Sequence, residues 1–129
     1  MNFRKIHHIA IICSDYNRSK NFYVNKLGFE VIQEIYREER NSYKLDLALN
    51  GEYVIELFSF PVAPARPSYP EARGLRHLAL EVEDIEETVR LLKKEGIETE
   101  EIRIDPYTHK RFTFFEDPDG LPLGLYESK

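Results

Sequence analysis

A single cysteine, Cys13, rules out an internal disulfide and suits a chain kept in a reducing compartment. Long apolar runs are missing too. No stretch approaches the roughly 18 residues needed to cross a bilayer, which excludes a helical membrane span. Met1-Asn2-Phe3-Arg4-Lys5 carries a basic pair but runs straight into a strand pattern, without the small-residue cleavage site of a signal peptide, so the expected home is the cytoplasm. Positive charge is not in excess: 18 Lys and Arg stand against 23 Asp and Glu, a formal net charge of −5. The basic residues are scattered, which leaves no electrostatic footprint for nucleic acid or an anionic membrane. A small molecule is the expected partner.

What the chain does contain is a repeat. With 129 residues, 42% of them apolar, it has the length of one domain and enough material for a core. Within that length His8-Ile9-Ala10-Ile11 is echoed by His77-Leu78-Ala79-Leu80, each a histidine leading an apolar strand. The same lag carries Asp15 onto Asp84, and Val54-Ile55-Glu56-Leu57-Phe58 finds its counterpart in Pro122-Leu123-Gly124-Leu125-Tyr126. Two copies of one module are implied. They differ where one has glutamate and the other glycine.

Each copy reads as β-α-β-β-β. In the first, residues 6–13 form a strand and Ser14-Asp15 starts a helix with Phe22, Tyr23 and Leu27 at helical spacing, closed by Gly28. Strands follow over 29–37, 43–49 and 52–60, with Asn50-Gly51 as a two-residue hairpin. Residues 61–74 hold four of the seven prolines and read as a linker between module 5–60 and module 75–128. The second copy opens with a strand over 75–82. Asp84 with Glu87 resembles a capping box, Ile85, Val89 and Leu92 give the helix an apolar face, and Gly96 ends it. Strands are expected over 98–104, 110–116 and 121–127, the last entered through the Asp117-Pro118-Asp119-Gly120 turn. The chain is thus expected to be α+β, with two four-stranded sheets curling about a shared cavity.

Side chains alternate along a strand, so His8, Ala10 and Ile12 share one face. A lone histidine there would be an ordinary strand residue, but a matched pair at His8 and His77 asks for more. Glu56, flanked by Val54, Ile55, Leu57 and Phe58, is costly to bury without a cation or donors beside it. Two imidazoles and a carboxylate suit a borderline divalent ion such as zinc, nickel, iron, manganese or cobalt, with coordination positions left open for water or substrate. The ligands alone do not name the reaction, since such an ion can polarise a carbonyl, stabilise an enediolate or activate dioxygen. Arg37, Tyr43, Arg111 and Tyr126 are candidates to face the cavity and contact an anionic substrate. His109, in a polar loop, is expected to face solvent.

The residues from His8-Ile9-Ala10-Ile11 to Asp15, Phe22-Tyr23 to Leu27-Gly28-Phe29, Ile55-Glu56-Leu57, Leu75-Arg76-His77-Leu78-Ala79 and Phe115-Glu116-Asp117-Pro118-Asp119-Gly120 span nearly the whole chain. In them it resembles the vicinal oxygen chelate superfamily of glyoxalase I, fosfomycin-resistance proteins, extradiol dioxygenases and bleomycin-resistance proteins, and most of all small bacterial proteins of the lactoylglutathione lyase type. The resemblance implies a glyoxalase-like fold. It also implies His8, Glu56 and His77 as ligands of a divalent metal, in a site built within one chain or across a homodimer. As an enzyme the protein would be a lyase or isomerase acting on a small α-hydroxycarbonyl or thiol adduct, Glu56 doubling as ligand and base. The alternatives are a non-catalytic drug- or metabolite-binding protein of the bleomycin-resistance type, and a dioxygenase. Two positions depart from glyoxalase I. Its fourth ligand, a glutamate that also moves the substrate proton, falls at Gly124, and an arginine that grips glutathione is replaced by Ile12. Glu127 lies on the opposite face, roughly 10 Å further along the strand, and would substitute only through a bulge or slip.

Overall fold

The computed structural model describes residues 1–129 in two compact units, Met1–Ala65 and Arg66–Lys129, whose boundary falls inside the proline-rich stretch. In the first unit the order is β1 (Ile9–Cys13), α1 (Tyr16–Lys20), β2 (Glu30–Arg37), β3 (Ser42–Leu49) and β4 (Glu52–Ser59). In the second it is β5 (Leu78–Val82), α2 (Ile85–Lys94), β6 (Arg103–Ile104), β7 (Arg111–Glu116) and β8 (Pro122–Glu127). The sheets run β1-β4-β3-β2 and β5-β8-β7-β6, with β1 parallel to β4 and β5 parallel to β8, and the remaining pairs antiparallel. This is the α+β architecture of two β-α-β-β-β modules. No helix is long and apolar enough to cross a membrane.

The duplicated aspartates start the two helices. Asp15 Oδ1 accepts from the Arg18 backbone N–H at 3.1 Å, and Asp84 Oδ1 from that of Glu87 at 3.0 Å, each satisfying a donor that the first helical turn leaves free. The Glu87 side chain does not complete a capping box but pairs with Arg90. Asn50 and Gly51, at φ of 51° and 80°, make the mirror-image turn that suits a two-residue hairpin.

Two expectations need correction. The first helix is not α-helical up to Gly28: after Lys20 it widens into a π-helical segment, Asn21–Lys26, where Leu27 N–H reaches the Phe22 carbonyl at 2.9 Å. The wider turn puts the consecutive aromatics Phe22 and Tyr23 both into the core. The strand expected over 98–104 shortens to Arg103–Ile104. Its acidic first half, Glu98-Thr99-Glu100-Glu101, lies outside the regular ladder, tied to β7 by Glu100 N–H to the Phe114 carbonyl and by the Thr113 hydroxyl to the Glu100 carbonyl, both at 2.9 Å.

Strand parity divides each sheet. In the first unit Ile11, Cys13, Leu45, Leu47, Ile55 and Leu57 are buried on the face that α1 covers. Tyr16 of α1 stacks on Tyr43 there, with ring centroids 4.2 Å apart. In the second unit Thr113, Phe115, Leu123 and Leu125 are buried on the face of α2. At its edge Arg111 holds Glu127 through two bonds of 2.7 Å, and Glu127 accepts a third from the Ile85 N–H.

This pair makes a pH-dependent contribution to stability. Hydrogen bonding from Arg111, partly opposed by desolvation, holds the Glu127 carboxyl below its ordinary value of 4.5. A carboxyl lowered in the folded state stabilises the fold above its unfolded pKa, and that contribution fades as pH falls through the folded value. Arg111→Met is therefore expected to lower the urea midpoint at pH 7. The gap to the wild type should narrow below about pH 4.5. A gap of equal size at pH 7 and pH 3 would contradict this reading.

Candidate functional site

His8 stands immediately before β1, on the face free of helix. Because Ala10 pairs with Glu56 in the parallel register of β1 and β4, Glu56 projects from that same face. His8 Nε2 lies 3.7 Å from Glu56 Oε1, and the glutamate side chain is only 15% exposed. Donor atoms bound about 2.1 Å from one ion stand roughly 3.0–3.4 Å apart at the usual angles. A small rotation of either side chain closes the difference, so this nitrogen and this oxygen fit two positions around a borderline divalent ion.

The second carboxylate oxygen is already engaged. Glu56 Oε2 accepts from the Tyr53 hydroxyl at 3.0 Å and lies 3.5 Å from Lys44 Nζ. The same hydroxyl lies 2.7 Å from Asp46 Oδ1, so the two carboxylates share its one proton, while Lys44 Nζ reaches both oxygens of the buried Asp46 at 2.8 and 2.9 Å. Burial, followed by the hydrogen bonds to Asp46 and Glu56, pushes the Tyr53 phenol far above its ordinary range, and the bond to Asp46 raises the Lys44 ammonium. Both groups therefore remain proton donors at neutral pH. They hold Oε2 and leave Oε1 turned toward His8.

Lys44, Asp46 and Tyr53 are absent from the residues singled out in the sequence. Asp46, set between Leu45 and Leu47, repeats the signal that drew attention to Glu56: a carboxylate inside an apolar strand. Tyr53 had no such signal. It reaches this face through a register shift between Leu47 and Ala48, after which Ala48 pairs with Tyr53.

The second unit carries a different face. His77 precedes β5, and the pairing of Ala79 with Gly124 puts histidine and glycine on the side away from α2. Register sets Phe114 opposite Gly124, as Asp46 is opposite Glu56, and Phe112 opposite Tyr126, as Lys44 is opposite Phe58. His77 meets Phe114 edge to face at 5.0 Å, and Phe112 stacks on Tyr126 at 5.3 Å. A Cβ at Gly124 would lie 3.0 Å from Phe114 Cε1. The copies thus differ around this position, with Lys44 and Asp46 beside Glu56 but Phe112 and Phe114 beside Gly124, and the glycine leaves room for the ring. Glu127 does not replace the absent carboxylate. The register from Leu78–Leu123 to Val82–Glu127 runs without a shift and keeps it on the other face, where Arg111 holds it.

The remaining candidates separate by face. Arg37 and Tyr126 belong to the helix-free faces. Tyr126 donates to Asp105 Oδ2 at 3.0 Å, and Arg37 lies over the Phe58 ring at 4.8 Å. Tyr43 stacks under α1 and Arg111 joins Glu127 and Glu86 beside α2. His109 is exposed and Cys13 buried. Within neither unit do three His, Cys, Asp or Glu side chains gather into a group that could hold a metal.

Comparison with known proteins agrees with this architecture. The model of the glyoxalase/bleomycin resistance protein/dioxygenase superfamily matches residues 5–125. The uncharacterized protein YwkD of Bacillus subtilis (strain 168) is 68% identical over 127 residues, covering 98% of this chain and 99% of its own. The uncharacterized protein YaeR of Escherichia coli (strain K12) is 61% identical over 127 residues and 98% of each chain. Among solved structures, a glyoxalase family protein from Enterococcus faecalis is 57% identical and superposes with a TM-score of 0.92, over 98% of this chain and 100% of that one.

Proposed function

Since this chain belongs to the glyoxalase/bleomycin resistance protein/dioxygenase superfamily, we propose that it is a metal-dependent lyase or isomerase of glyoxalase type, acting on a small α-hydroxycarbonyl compound or thiol adduct. His8 and Glu56 would supply two ligands of a divalent ion. His77 would supply the third, from the second module of the same chain or of a second copy in a homodimer. The observation that carries this reading is the 3.7 Å approach of His8 Nε2 to Glu56 Oε1 on a helix-free face, with the other glutamate oxygen held by Tyr53.

When bound, the ion would polarise a substrate carbonyl and acidify the neighbouring C–H. Glu56 would accept that proton, as the carboxylate on this face that lies beside a histidine. Tyr53 and Lys44 keep its second oxygen oriented and supply donors to the negative charge around it.

A second reading is a protein that binds a chelating small molecule without turnover. The aromatic face around Gly124 favours it, because even a Cβ there would crowd the Phe114 ring at 3.0 Å. Metal titration of the purified protein, followed by assay of methylglyoxal with glutathione, bacillithiol or coenzyme A, separates the two. Turnover that disappears in both His8→Ala and His77→Ala is the expected result. Metal binding without turnover, for every thiol and across several metals, would leave the binding reading. Failure to bind any divalent ion would remove this ligand set.

A further inference from the structure

At the far end of the same face of the first unit, Phe58 and Phe60 stack with ring centroids 5.6 Å apart and planes 20° apart. The Arg37 guanidinium lies over them, 4.8 Å from the Phe58 centroid and 5.8 Å from that of Phe60, and Arg40 lies 5.5 Å from Phe60. Arg37 donates one hydrogen bond, from Nη2 to the fully buried Ser42 Oγ at 3.1 Å, and its Nε is enclosed with no protein acceptor. No carboxylate pairs with it. Elsewhere Arg76, Arg90, Arg103 and Arg111 each have a glutamate partner.

A partly buried guanidinium without a counter-charge is costly, whereas one already fixed by stacking and a buried hydroxyl is prepared to receive an oxyanion at little ordering cost. The aromatic floor adds cation–π attraction that holds the plane in position but neutralises no charge. Phe58 is two residues beyond Glu56 on β4, so the aromatic floor under Arg37 starts about 7 Å along the strand from the proposed ligand, on the same face.

We propose that Arg37, supported by Ser42, Phe58 and Arg40, is an oxyanion subsite that receives a carboxylate or phosphate group of the ligand. The substrate class is then a small molecule with chelating oxygens at one end and an anionic group at the other. As the substrate's anionic end the assignment rests on the proposed function. The anion site itself does not, and is measurable without metal.

The test is titration of the metal-free and the metal-loaded protein with inorganic phosphate and, separately, with succinate at constant ionic strength, read from the NMR signals of the Arg37 Nε–H and the Ser42 amide. Saturable shifts with one or both anions are expected, and the anion that saturates identifies the phosphate or carboxylate form. Arg37→Met, which keeps an aliphatic side chain over Phe58, should weaken that binding at least tenfold and leave metal affinity within twofold. Arg37→Lys, which keeps the charge but not the fork, should fall between. Shifts that never saturate with either anion, or an affinity unchanged in Arg37→Met and Arg37→Lys, would overturn the proposal. Saturable anion binding in a protein that takes no metal would uphold the subsite and reject the metal site.

Discussion

Glu56→Gln is expected to lower affinity for a divalent ion by roughly a hundredfold or more, about 2.7 kcal/mol or above, while leaving the folded structure intact. The reason lies in how charge is distributed around this side chain. Lys44 bonds both oxygens of Asp46, and the one proton of the Tyr53 hydroxyl has Asp46 within reach as well as Glu56, so removing the Glu56 charge orphans neither donor. Glutamine retains an oxygen for Tyr53 and nearly the same volume. What it loses is the anionic oxygen turned toward His8. Tyr53→Phe makes the complementary test: it removes a donor to the second oxygen and should weaken metal binding by about tenfold to a hundredfold. Isothermal titration of both variants beside the wild type, with urea melts as the control for folding, measures both effects. Metal affinity unchanged in Glu56→Gln would remove this residue from the ligand set.

Gly124→Glu is expected to fail as a repair of the second module. A comparison of sequences alone suggests that this substitution restores the glutamate of glyoxalase I. The structure puts Phe114 Cε1 3.0 Å from a Cβ at this buried position, with the Ala79 methyl 3.5 Å away. The ring would have to give way by a few tenths of an ångström while it is held edge to face against His77. Overpacking of this kind costs about 1–3 kcal/mol, and the carboxylate would be desolvated against aromatic rings in addition. The single variant should therefore show a lower urea midpoint. Gly124→Glu combined with Phe114→Ala should recover more stability than independent effects allow, because the two positions compete for one volume. Strict additivity in that double-mutant cycle would contradict the steric argument.

Much of the fold was legible because its signals are local. The two histidine-led strands, the Asp15 and Asp84 helix starts, the Asn50-Gly51 hairpin and the Asp117 to Gly120 turn each rest on a few adjacent residues. In the last of these, Asp117 Oδ1 accepts from the Asp119 and Leu121 N–H groups at 2.9 Å, and Gly120 takes φ of 80°. Local patterning failed where a neighbour overrode it. The first helix widens over Asn21–Lys26, where the consecutive Phe22 and Tyr23 are both buried, and an acidic edge segment did not enter the ladder as the strand its position suggested. In the site, Glu56 was visible as a carboxylate in an apolar strand. Asp46 carries the same local signal, but only the pairing of β3 with β4 sets it beside Glu56.

By itself the sequence determined the duplication, the class of fold and the alternation of side chains along each strand, since a period of two and turn chemistry are properties of contiguous residues. Only the tertiary structure decided what those residues meet. Strand register joined Glu56 to Asp46 and Lys44, a shifted pairing at Leu47 and Ala48 turned Tyr53 into the same cluster, and cross-strand pairing set Phe114 against Gly124. Arg111 and Tyr43, both candidates for a substrate face, went to the helix sides for the same reason. These outcomes depend on pairing between residues distant in the chain, where a shift of one position exchanges the two faces of a strand.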